Sequence, residues 1–398
     1  MAAARLLDLT RSLRRAGRVA TGVDRVEHAY LSHFLTDEVP VFGLIRTGFG
    51  YVILDQNGMH AFLDRIKGRV AWGDVDLMSQ LPRGRTAQQK KAESDVRRLA
   101  VARALPGKLA RVLAEVLPVG YVYFNVGHSN LTDRVLSAVH AGGGRIAAMV
   151  HDVIPLEHPE FQREGSVEPF REKMRRISAS ADWVIYNSHD TQNRTEKFMQ
   201  NWGRKPKPIV AHLGTMMPSV DSGQLPGGLP LDRPYFVTVG TIEPRKNHAL
   251  LLDIWHELGA AAPPLLICGS RGWNNDAVFS RLDRLTAENN IYELSGLSDP
   301  ALAALVKGAA GSLFPSLSEG YGFPPLEALA LGTRVLCNNL SVLREILDEK
   351  PVYAPVSDRY LWISTIKNWE KNPPKALEDD HFVGPSWSDH FKTVLRSR

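Results

Sequence analysis

The chain has 398 residues, of which 44% are hydrophobic and 23% are charged, which is the composition of an ordinary globular protein of about two domains. Its apolar runs contain no uncharged stretch of about 18 residues, so we expect no transmembrane helix. The net charge is +5, yet residues 1–150 hold 21 Lys and Arg against 13 Asp and Glu. This basic part could face a phosphate-rich acceptor, anionic lipid or nucleic acid, or form a solvated surface, and charge alone does not distinguish these.

The N-terminal segment MAAARLLDLTRSLRRAGR is rich in Arg and poor in acidic residues. The spacing of Leu6, Leu9 and Leu13 fits a folded helix, while the composition also fits a mitochondrial-type transit peptide. The two cysteines, Cys268 and Cys337, lie in apolar runs, which favours buried thiols over a disulfide. We therefore expect a cytoplasmic protein.

Short apolar runs alternate with amphipathic stretches along the chain, and a Pro- and Gly-rich linker is predicted at 215–234. Strands are predicted at 39–45, 51–55, 121–127, 145–152, 183–188 and 208–214, and after the linker at 235–240, 264–270, 291–297, 311–316 and 333–339; helices include 87–116 and 165–180. Strands that alternate with helices predict parallel sheets with right-handed crossovers. The predicted class is α/β, with Rossmann-like domains at 1–215 and 216–385 and a C-terminal segment, 386–398, that packs back on the first domain.

Two polar segments follow predicted strands of the second domain, where ligands bind in such sheets. The first, Gly240-Thr241-Ile242-Glu243-Pro244-Arg245-Lys246-Asn247, places adjacent cations at a helix start. Positive side chains beside a positive helix end favour a bound anion such as a diphosphate, although a solvated Arg-Lys pair would look the same.

The second segment, Leu317-Ser318-Glu319-Gly320-Tyr321-Gly322-Phe323-Pro324-Pro325-Leu326-Glu327, combines two glycines with a proline pair that opens a helix. Glu327 is predicted in the first turn of that helix, ionised by the helix dipole. Glu319 and Glu327 thus lie on either side of a glycine-rich turn. Carboxylates accept hydrogen bonds from hydroxyls, which suits a polyol such as ribose or a hexose.

Three further patterns carry less information. Asp74-Val75-Asp76 matches a metal-binding Asp-x-Asp, but no strand precedes it, and a solvated loop is expected. His151, Asp152 and His158 have no common zinc spacing, and the position of His151 after a strand explains it without a metal. Residues 125–129 follow a strand and suit either an acceptor contact or a simple turn.

Taken together, the segments FPSLSEGYGFPPLEALALG and VGTIEPRKNH resemble the retaining GT-B glycosyltransferases of family 4. The segments HDVIPLEHPEF and YNSHDTQNRT are similar to that family's first domain, and CGSRGW and LSGLSD to its nucleotide-binding strand ends. The resemblance covers roughly residues 120–350, and the first 100 residues match only loosely.

The resemblance implies a metal-independent transferase whose partners are a nucleotide-sugar donor and a glycan or lipid-linked acceptor, with no nucleic acid. GDP-mannose is the first candidate donor, and the basic first domain could contact an anionic membrane. The implied roles are diphosphate neutralisation by Arg245 and Lys246, sugar contacts by His151 and Glu319, ribose contacts by Glu327, and donor contacts by Gly240, Thr241, Asn247, Ser270, Arg271, Gly322 and Phe323.

The chain departs from the family at two places. Thr241 stands where many members have Arg, and Arg245 could supply that charge. The early Gly-Gly loop has only Thr21-Gly22-Val23-Asp24-Arg25 as its counterpart, which could equally be an ordinary helix start. Three rival functions remain open: a GT-B nucleotide-sugar epimerase, a silent nucleotide-sugar-binding protein, and a Rossmann NAD enzyme, which lacks support because no GxGxxG follows either first strand.

Overall fold

The computed structural model describes residues 2–81, 84–215, 219–285, 289–373 and 382–396. Within these ranges the first sheet contains β1 Arg5–Asp8, β2 Val41–Thr47, β3 Gly50–Leu54, β4 Ala102–Ala104, β5 Val122–Asn125, β6 Arg145–Val150, β7 Trp183–Tyr186 and β8 Lys207–Val210. Its strand order is β4-β3-β2-β1-β5-β6-β7-β8. The chain begins in the middle of this sheet and extends it to both sides.

The start of the chain forms a strand where the spacing of its leucines had predicted a helix. Residues 5–8 form β1, which pairs in parallel with both β2 and β5, and all four of its residues are buried. A strand covered on both faces shows no alternation of apolar and polar residues, so its short apolar run resembles a helix face in sequence. Of the three leucines, only Leu13 lies in a helix, the short segment Thr10–Arg14, and Leu9 is the residue that caps its start.

One edge of the sheet is antiparallel, in contrast to the all-parallel prediction. β3 pairs antiparallel with β2 and with β4. The two residues Gly48 and Phe49 that separate β2 from β3 are too few for the crossover that a parallel pair requires, so the chain forms a hairpin. The remaining strand pairs in both sheets are parallel.

The helices that precede residue 215 are α1 Thr10–Arg14, α2 Gly22–Phe34, α3 Gln56–Ile66, α4 Leu77–Gln80, α5 Ala87–Leu99, α6 Leu109–Val116, α7 Asp133–Ala141, α8 Ile154–Glu157, α9 Val167–Ser180 and α10 His189–Asn201. The single helix predicted at 87–116 is wrong, because the edge strand β4 and the turn at Pro106 separate α5 from α6. Thr21 begins α2 with a capping box to Asp24, which fixes the start of the helix that faces the second sheet.

The second sheet contains β9 Phe236–Val239, β10 Leu265–Cys268, β11 Ile291–Leu294, β12 Gly311–Phe314, β13 Val335–Cys337 and β14 Val352–Tyr353, in the order β11-β10-β9-β12-β13-β14. Its helices and those that follow are α11 His248–Leu258, α12 Asp276–Leu282, α13 Asp299–Gly308, α14 Phe323–Ala330, α15 Ser341–Leu347, α16 Arg359–Lys371 and α17 Trp387–Arg396. Buried aliphatic and aromatic side chains fill both faces of each sheet. Cys268 and Cys337 are buried free thiols.

Helix α17 lies against the first domain. Its Phe391 is buried and stacks on His33 with ring centroids 3.8 Å apart, and His390 shares a hydrogen bond of 2.9 Å with the hydroxyl of Tyr30. The chain therefore returns to the domain in which it started. The predicted domain boundary after residue 215 and the last two residues, 397–398, lie outside the described residues. No helix in the part of the chain that the structure describes is long and apolar enough to cross a bilayer.

Candidate active site between the two domains

The carboxyl ends of the strands in the two sheets face a shared cavity of about 670 Å³. Ligands of open parallel sheets bind at this end of the strands. In the first domain, the cavity is lined by residues at the start of α2 and by residues that follow β6 and β7. In the second domain, it is lined by residues that follow β9, β10 and β12. The lining residues include Thr21, Gly22, Arg25, His151, Asp152, Asn187, Gly240, Thr241, Arg245, Lys246, Ser270, Glu319, Gly320, Gly322, Phe323 and Glu327.

A cluster of charged side chains lies at the centre of this cavity. Lys246 Nζ donates to Glu319 Oε1 at 2.6 Å, and Arg245 Nη1 donates to Glu319 Oε2 at 2.9 Å. Arg245 Nε also pairs with Glu243 Oε1 at 2.7 Å. The two cations and Glu319 come from segments about seventy residues apart, and the fold brings them into direct contact, which the sequence did not predict.

The charge states of this cluster follow from burial and pairing. Burial alone would raise the pKa of Glu319, but Lys246 and Arg245 outweigh it and lower that pKa to about 2. Burial lowers the pKa of Lys246, and the attraction of Glu319 opposes this effect. Glu319 is therefore a carboxylate at neutral pH. Glu319 and Glu243 together balance the charges of the two cations, and both cations keep further N–H groups that these pairs do not use.

The turn after β12 needs its glycines. A Cβ on Gly320 would lie 2.9 Å from the carbonyl oxygen of His151, so the close approach of the two domains requires glycine there. Gly322 has a φ of 96° and caps α14 from the left-handed region. Pro324 and Pro325 carry no N–H, and the N–H of Leu326 donates to the carbonyl oxygen of Gly322 at 3.2 Å. The first turn of α14 therefore leaves the N–H of Phe323, which lines the cavity, as the backbone donor without a carbonyl partner in the helix.

Glu327 lies in the cavity wall, but two expectations about it are wrong. The helix begins at Phe323, so Glu327 is in its second turn, beyond the strongest field of the helix N-terminus. Burial raises the pKa of Glu327, and Arg25 opposes this rise. Arg25 Nη1 donates to Glu327 Oε1 at 2.6 Å from the first domain. The compensating charge therefore comes from across the cleft rather than from the helix dipole.

His151 follows β6 and lines the cavity while it is almost fully buried. Its Nε2 lies 2.7 Å from the carbonyl oxygen of Val126, and burial lowers its pKa. A neutral imidazole that donates from Nε2 keeps Nδ1 as an acceptor. His128 lies behind it, with ring centroids 5.0 Å apart, and its Nε2 is 2.7 Å from the carbonyl oxygen of Met149. The Asn125–Ser129 segment thus forms a turn that supports His151.

Asn187, a residue that the sequence did not single out, joins the two halves of the site. Its Nδ2 donates to the carbonyl oxygen of His151 at 2.9 Å and to that of Gly320 at 3.1 Å. No local pattern marks such a residue, because its partners are 36 and 133 positions away in the chain. Asn187 therefore fixes the distance between His151 and the glycine-rich turn.

Two contacts close the cleft at its rim. Glu345 of α15 accepts hydrogen bonds from the backbone N–H groups of His189 at 2.7 Å and Asp190 at 2.9 Å, at the start of α10. A carboxylate at a helix N-terminus is favourable because the free N–H groups carry partial positive charge. On the other side, Trp273 Nε1 donates to the carbonyl oxygen of Phe161 at 2.8 Å. These contacts hold the two domains together at two separate places.

Two predicted donor-binding residues lie away from the wall. Asn247 does not line the described cavity; it has a φ of 53° and links the turn of Pro244–Lys246 to α11. Arg271 also lies outside the described lining, where it pairs with Glu293 at 2.8 Å and Asp283 at 2.7 Å. The Thr21–Arg25 segment was predicted to be either the counterpart of the family's glycine loop or an ordinary helix start. It forms the start of α2, and it also lines the cavity.

The Asp-x-Asp segment has a structural role rather than that of a solvated loop. Asp76 caps α4 through the N–H of Ser79 at 2.7 Å and pairs with Arg97 at 2.5 Å, and the hydrogen bond from Arg97 lowers its pKa. Among the described residues, no group of three or more His, Cys, Asp or Glu side chains is arranged to hold a metal ion. His158 instead pairs with Glu160 at 3.1 Å.

Residues 226–378 match the family model of the glycosyl transferases group 1. The serotype-specific mannosyltransferase WbdA of Escherichia coli is 30% identical over 235 residues, which are 55% of this chain and 29% of WbdA. The O-antigen chain mannosyltransferase B of Escherichia coli is 35% identical over 127 residues, 31% of this chain and 33% of that protein. The chain thus spans about a third of the length of these curated relatives.

Among solved structures, Anabaena HepE in complex with UDP-glucose has a TM-score of 0.58 at 13% identity, over 92% of this chain and 89% of that one. The structure from E. coli described as trehalose-6-phosphate bound with UDP-2-fluoro glucose has a TM-score of 0.54 at 12% identity, over 93% and 92% of the two chains. At such identities the likeness establishes the fold alone. The chain therefore has the GT-B fold of two facing α/β domains, its second domain matches the glycosyl transferases group 1 model, and it is similar in sequence to mannosyltransferases.

Proposed function

We propose that this protein is a retaining glycosyltransferase that moves a hexose from a nucleoside-diphosphate sugar to a hydroxyl of a glycan or lipid-linked glycan. The observation that carries the proposal is the Arg245–Lys246–Glu319 cluster in the cavity between the domains. This cluster places two cations that can bind a diphosphate beside a carboxylate that can accept hydrogen bonds from sugar hydroxyls, and Lys246 and Glu319 are buried. The proposed setting is the cytoplasm, with peripheral contact between the basic first domain and an anionic membrane.

The chemical step follows from where charge develops. The bond between the anomeric carbon and the diphosphate oxygen breaks, and negative charge builds on that oxygen. Lys246, Arg245 and the backbone N–H of Phe323 at the start of α14 would stabilise this charge, because they are already oriented before the reaction. The acceptor hydroxyl bonds to the anomeric carbon on the face that the diphosphate leaves, and its proton passes to the departing diphosphate. In this scheme the cations belong to side chains, so the proposed reaction needs no metal.

The other cavity residues would bind the parts of the donor that do not react. Glu327 would accept hydrogen bonds from the ribose hydroxyls once Arg25 shares or releases it. Glu319 would accept from hydroxyls of the sugar, and His151 would contact the sugar from the opposite domain near the reacting carbon. Gly240, Thr241 and Ser270 line the second-domain wall and would contact the nucleotide.

Mannose is the first proposed sugar because the relatives named above are mannosyltransferases. GDP-mannose is accordingly the first donor to test. A thermal-shift panel of GDP-mannose, UDP-glucose and other nucleotide sugars tests this directly, because a ligand that binds only the folded protein raises its stability by RT ln(1 + [L]/Kd). No shift with any nucleotide sugar would contradict the proposal.

Donor consumption with and without a glycan acceptor separates transfer from the two related alternatives. A transferase consumes the donor and forms a glycoside when the acceptor is present. An epimerase would convert the donor without an acceptor, and a silent binding protein would leave it unchanged in both cases.

A further inference from the structure

A second cavity, of about 610 Å³, lies in the first domain beside the donor cleft. It is bounded by the turn after α1, the start of α2, the end of α3 with the loop that follows, and α5. Ala20 lines both cavities, so both spaces border the turn that joins α1 to α2. None of the donor contacts proposed above uses this second space.

Part of its wall is a fixed framework of ion pairs. Arg15 Nε pairs with Asp24 at 2.6 Å, and Arg65 Nε pairs with Asp95 at 2.7 Å. Both aspartates are buried, and both accept further hydrogen bonds from backbone N–H groups. These charges are mutually compensated, so they hold the wall in shape and do not call for a ligand.

Three other cations of the wall are not compensated. Arg18, Lys67 and Lys91 line the cavity, and no carboxylate of the described residues lies within ion-pair distance of them. Arg18 and Lys67 are exposed and Lys91 is half-buried, and cations gathered on one concave wall raise the local positive potential. The cavity is therefore suited to an anion.

The remaining surfaces suit a sugar. Trp72 lines the cavity, and its ring is held edge-to-face against Phe62 with centroids 5.9 Å apart. His28 also lines it, and burial lowers the pKa of His28, which leaves a neutral imidazole to hydrogen-bond with a hydroxyl. An aromatic wall with a few placed polar groups is the usual composition of a small-molecule site.

We propose that this cavity is the acceptor subsite, and that it takes a sugar carrying a phosphate group. Arg18, Lys67 and Lys91 bind the phosphate, and the sugar ring lies against Trp72. The acceptor hydroxyl then reaches the donor past Ala20. This inference rests on the proposed function, and it adds the chemical class of the acceptor.

The test measures binding by ligand-observed NMR while the donor cleft is saturated with GDP or UDP, so that no phosphate enters that cleft. The probes are mannose, mannose 6-phosphate and inorganic phosphate. Mannose 6-phosphate should bind about tenfold more tightly than mannose or inorganic phosphate, since charge-assisted hydrogen bonds add to the ring contacts. Lys91→Gln should remove most of that advantage.

The matched control is Lys90→Gln, which removes the same charge from the adjacent position of α5 but does not touch the described cavity lining. Equal binding of mannose and mannose 6-phosphate, equal losses in the two variants, or inorganic phosphate binding as tightly as the sugar phosphate would each overturn the proposal. Binding of GDP or UDP should be the same in both variants. Failure of the wild type to bind any nucleoside diphosphate would instead contradict the proposed function.

A second experiment distinguishes a lipid-linked phosphate from a water-soluble one. It measures cosedimentation of the protein with phosphatidylcholine vesicles that contain a polyprenyl-phosphate sugar. If the wild type and Lys90→Gln cosediment with these vesicles and Lys91→Gln does not, the phosphate belongs to a lipid carrier. Binding of mannose 6-phosphate without cosedimentation assigns it to a water-borne acceptor.

Discussion

Arg25 in the first domain and Glu327 in the second are ion-paired across the cleft, with 2.6 Å between Nη1 and Oε1. The pair spans 302 positions of the chain, and both side chains line the proposed donor cavity. It does two things at once, since it compensates a buried carboxylate and ties the domains together. A donor whose ribose binds Glu327 must share this carboxylate with Arg25, so donor binding and domain closure are coupled at one residue.

Glu327→Gln should weaken binding of the free nucleoside diphosphate and of the full donor by about tenfold, because an uncharged amide is a weaker acceptor for ribose hydroxyls. Isothermal calorimetry with both ligands measures this loss. Asp299→Asn is the matched control, since Asp299 also approaches Arg25, at 3.5 Å, but lies outside the described cavity wall. Equal losses in the two variants would show that the effect comes from Arg25 and not from a ribose contact.

Glu319→Gln should act differently from Glu327→Gln. The substitution removes the negative charge that faces Lys246 and Arg245, so affinity for the free nucleoside diphosphate should be unchanged or higher. Turnover should fall, because the acceptor for the sugar hydroxyls is weakened. A loss of nucleotide affinity equal to that of Glu327→Gln would refute this division of roles.

Lys246→Ala should lower turnover by about a hundredfold or more, which corresponds to roughly 3 kcal/mol of lost transition-state stabilisation. Steady-state kinetics with the best donor of the panel measures it, and circular dichroism checks that the variant is folded. Lys307→Ala, on the exposed side of α13, removes the same charge away from the described cavity lining and should have normal turnover. Near-normal turnover of Lys246→Ala would exclude the proposed diphosphate contact.

Gly320→Ala should separate the domains, because the new Cβ would lie 2.9 Å from the backbone of His151. We expect a larger radius of gyration in small-angle scattering and a fall in turnover. Gly107→Ala is the control, since a Cβ there meets no atom within 4 Å and its φ is not positive. Unchanged scattering and turnover in Gly320→Ala would contradict the requirement for glycine at this contact between the domains.

Acid should destabilise the protein partly through Glu319. Its folded pKa of about 2 is depressed, so its contribution to stability is present above the unfolded pKa of about 4.3 and is lost as the pH falls toward 2. Denaturant unfolding at pH 5 and pH 3 should therefore show a greater loss for the wild type than for Glu319→Gln, which has no carboxyl to titrate. Equal losses would contradict the assignment of the low pKa.

The sequence by itself determined the α/β class, the strand-end positions of the two polar motifs and most of the second-domain cavity wall. It could do so because the chemistry there is local: a glycine, a cation pair or a proline pair directly follows a buried strand. The sequence placed Arg245, Lys246 and Glu319 at strand ends where ligands bind, whereas their mutual ion pairs are seen only in the structure.

Only the tertiary structure decided the features that depend on contacts between residues far apart in the sequence. Residues 5–8 became the central strand because β2 and β5 cover both of its sides, which no local pattern records. The partner of Glu327 proved to be Arg25 rather than a helix terminus, and Asn187 became a site residue through two carbonyl groups far away in sequence. Arg271 pairs with Glu293 and Asp283 and lies outside the described cavity lining, which the sequence did not predict. Ion pairs across the cleft, such as Arg25 with Glu327, depend on how the two domains pack, and that packing depends on the whole chain.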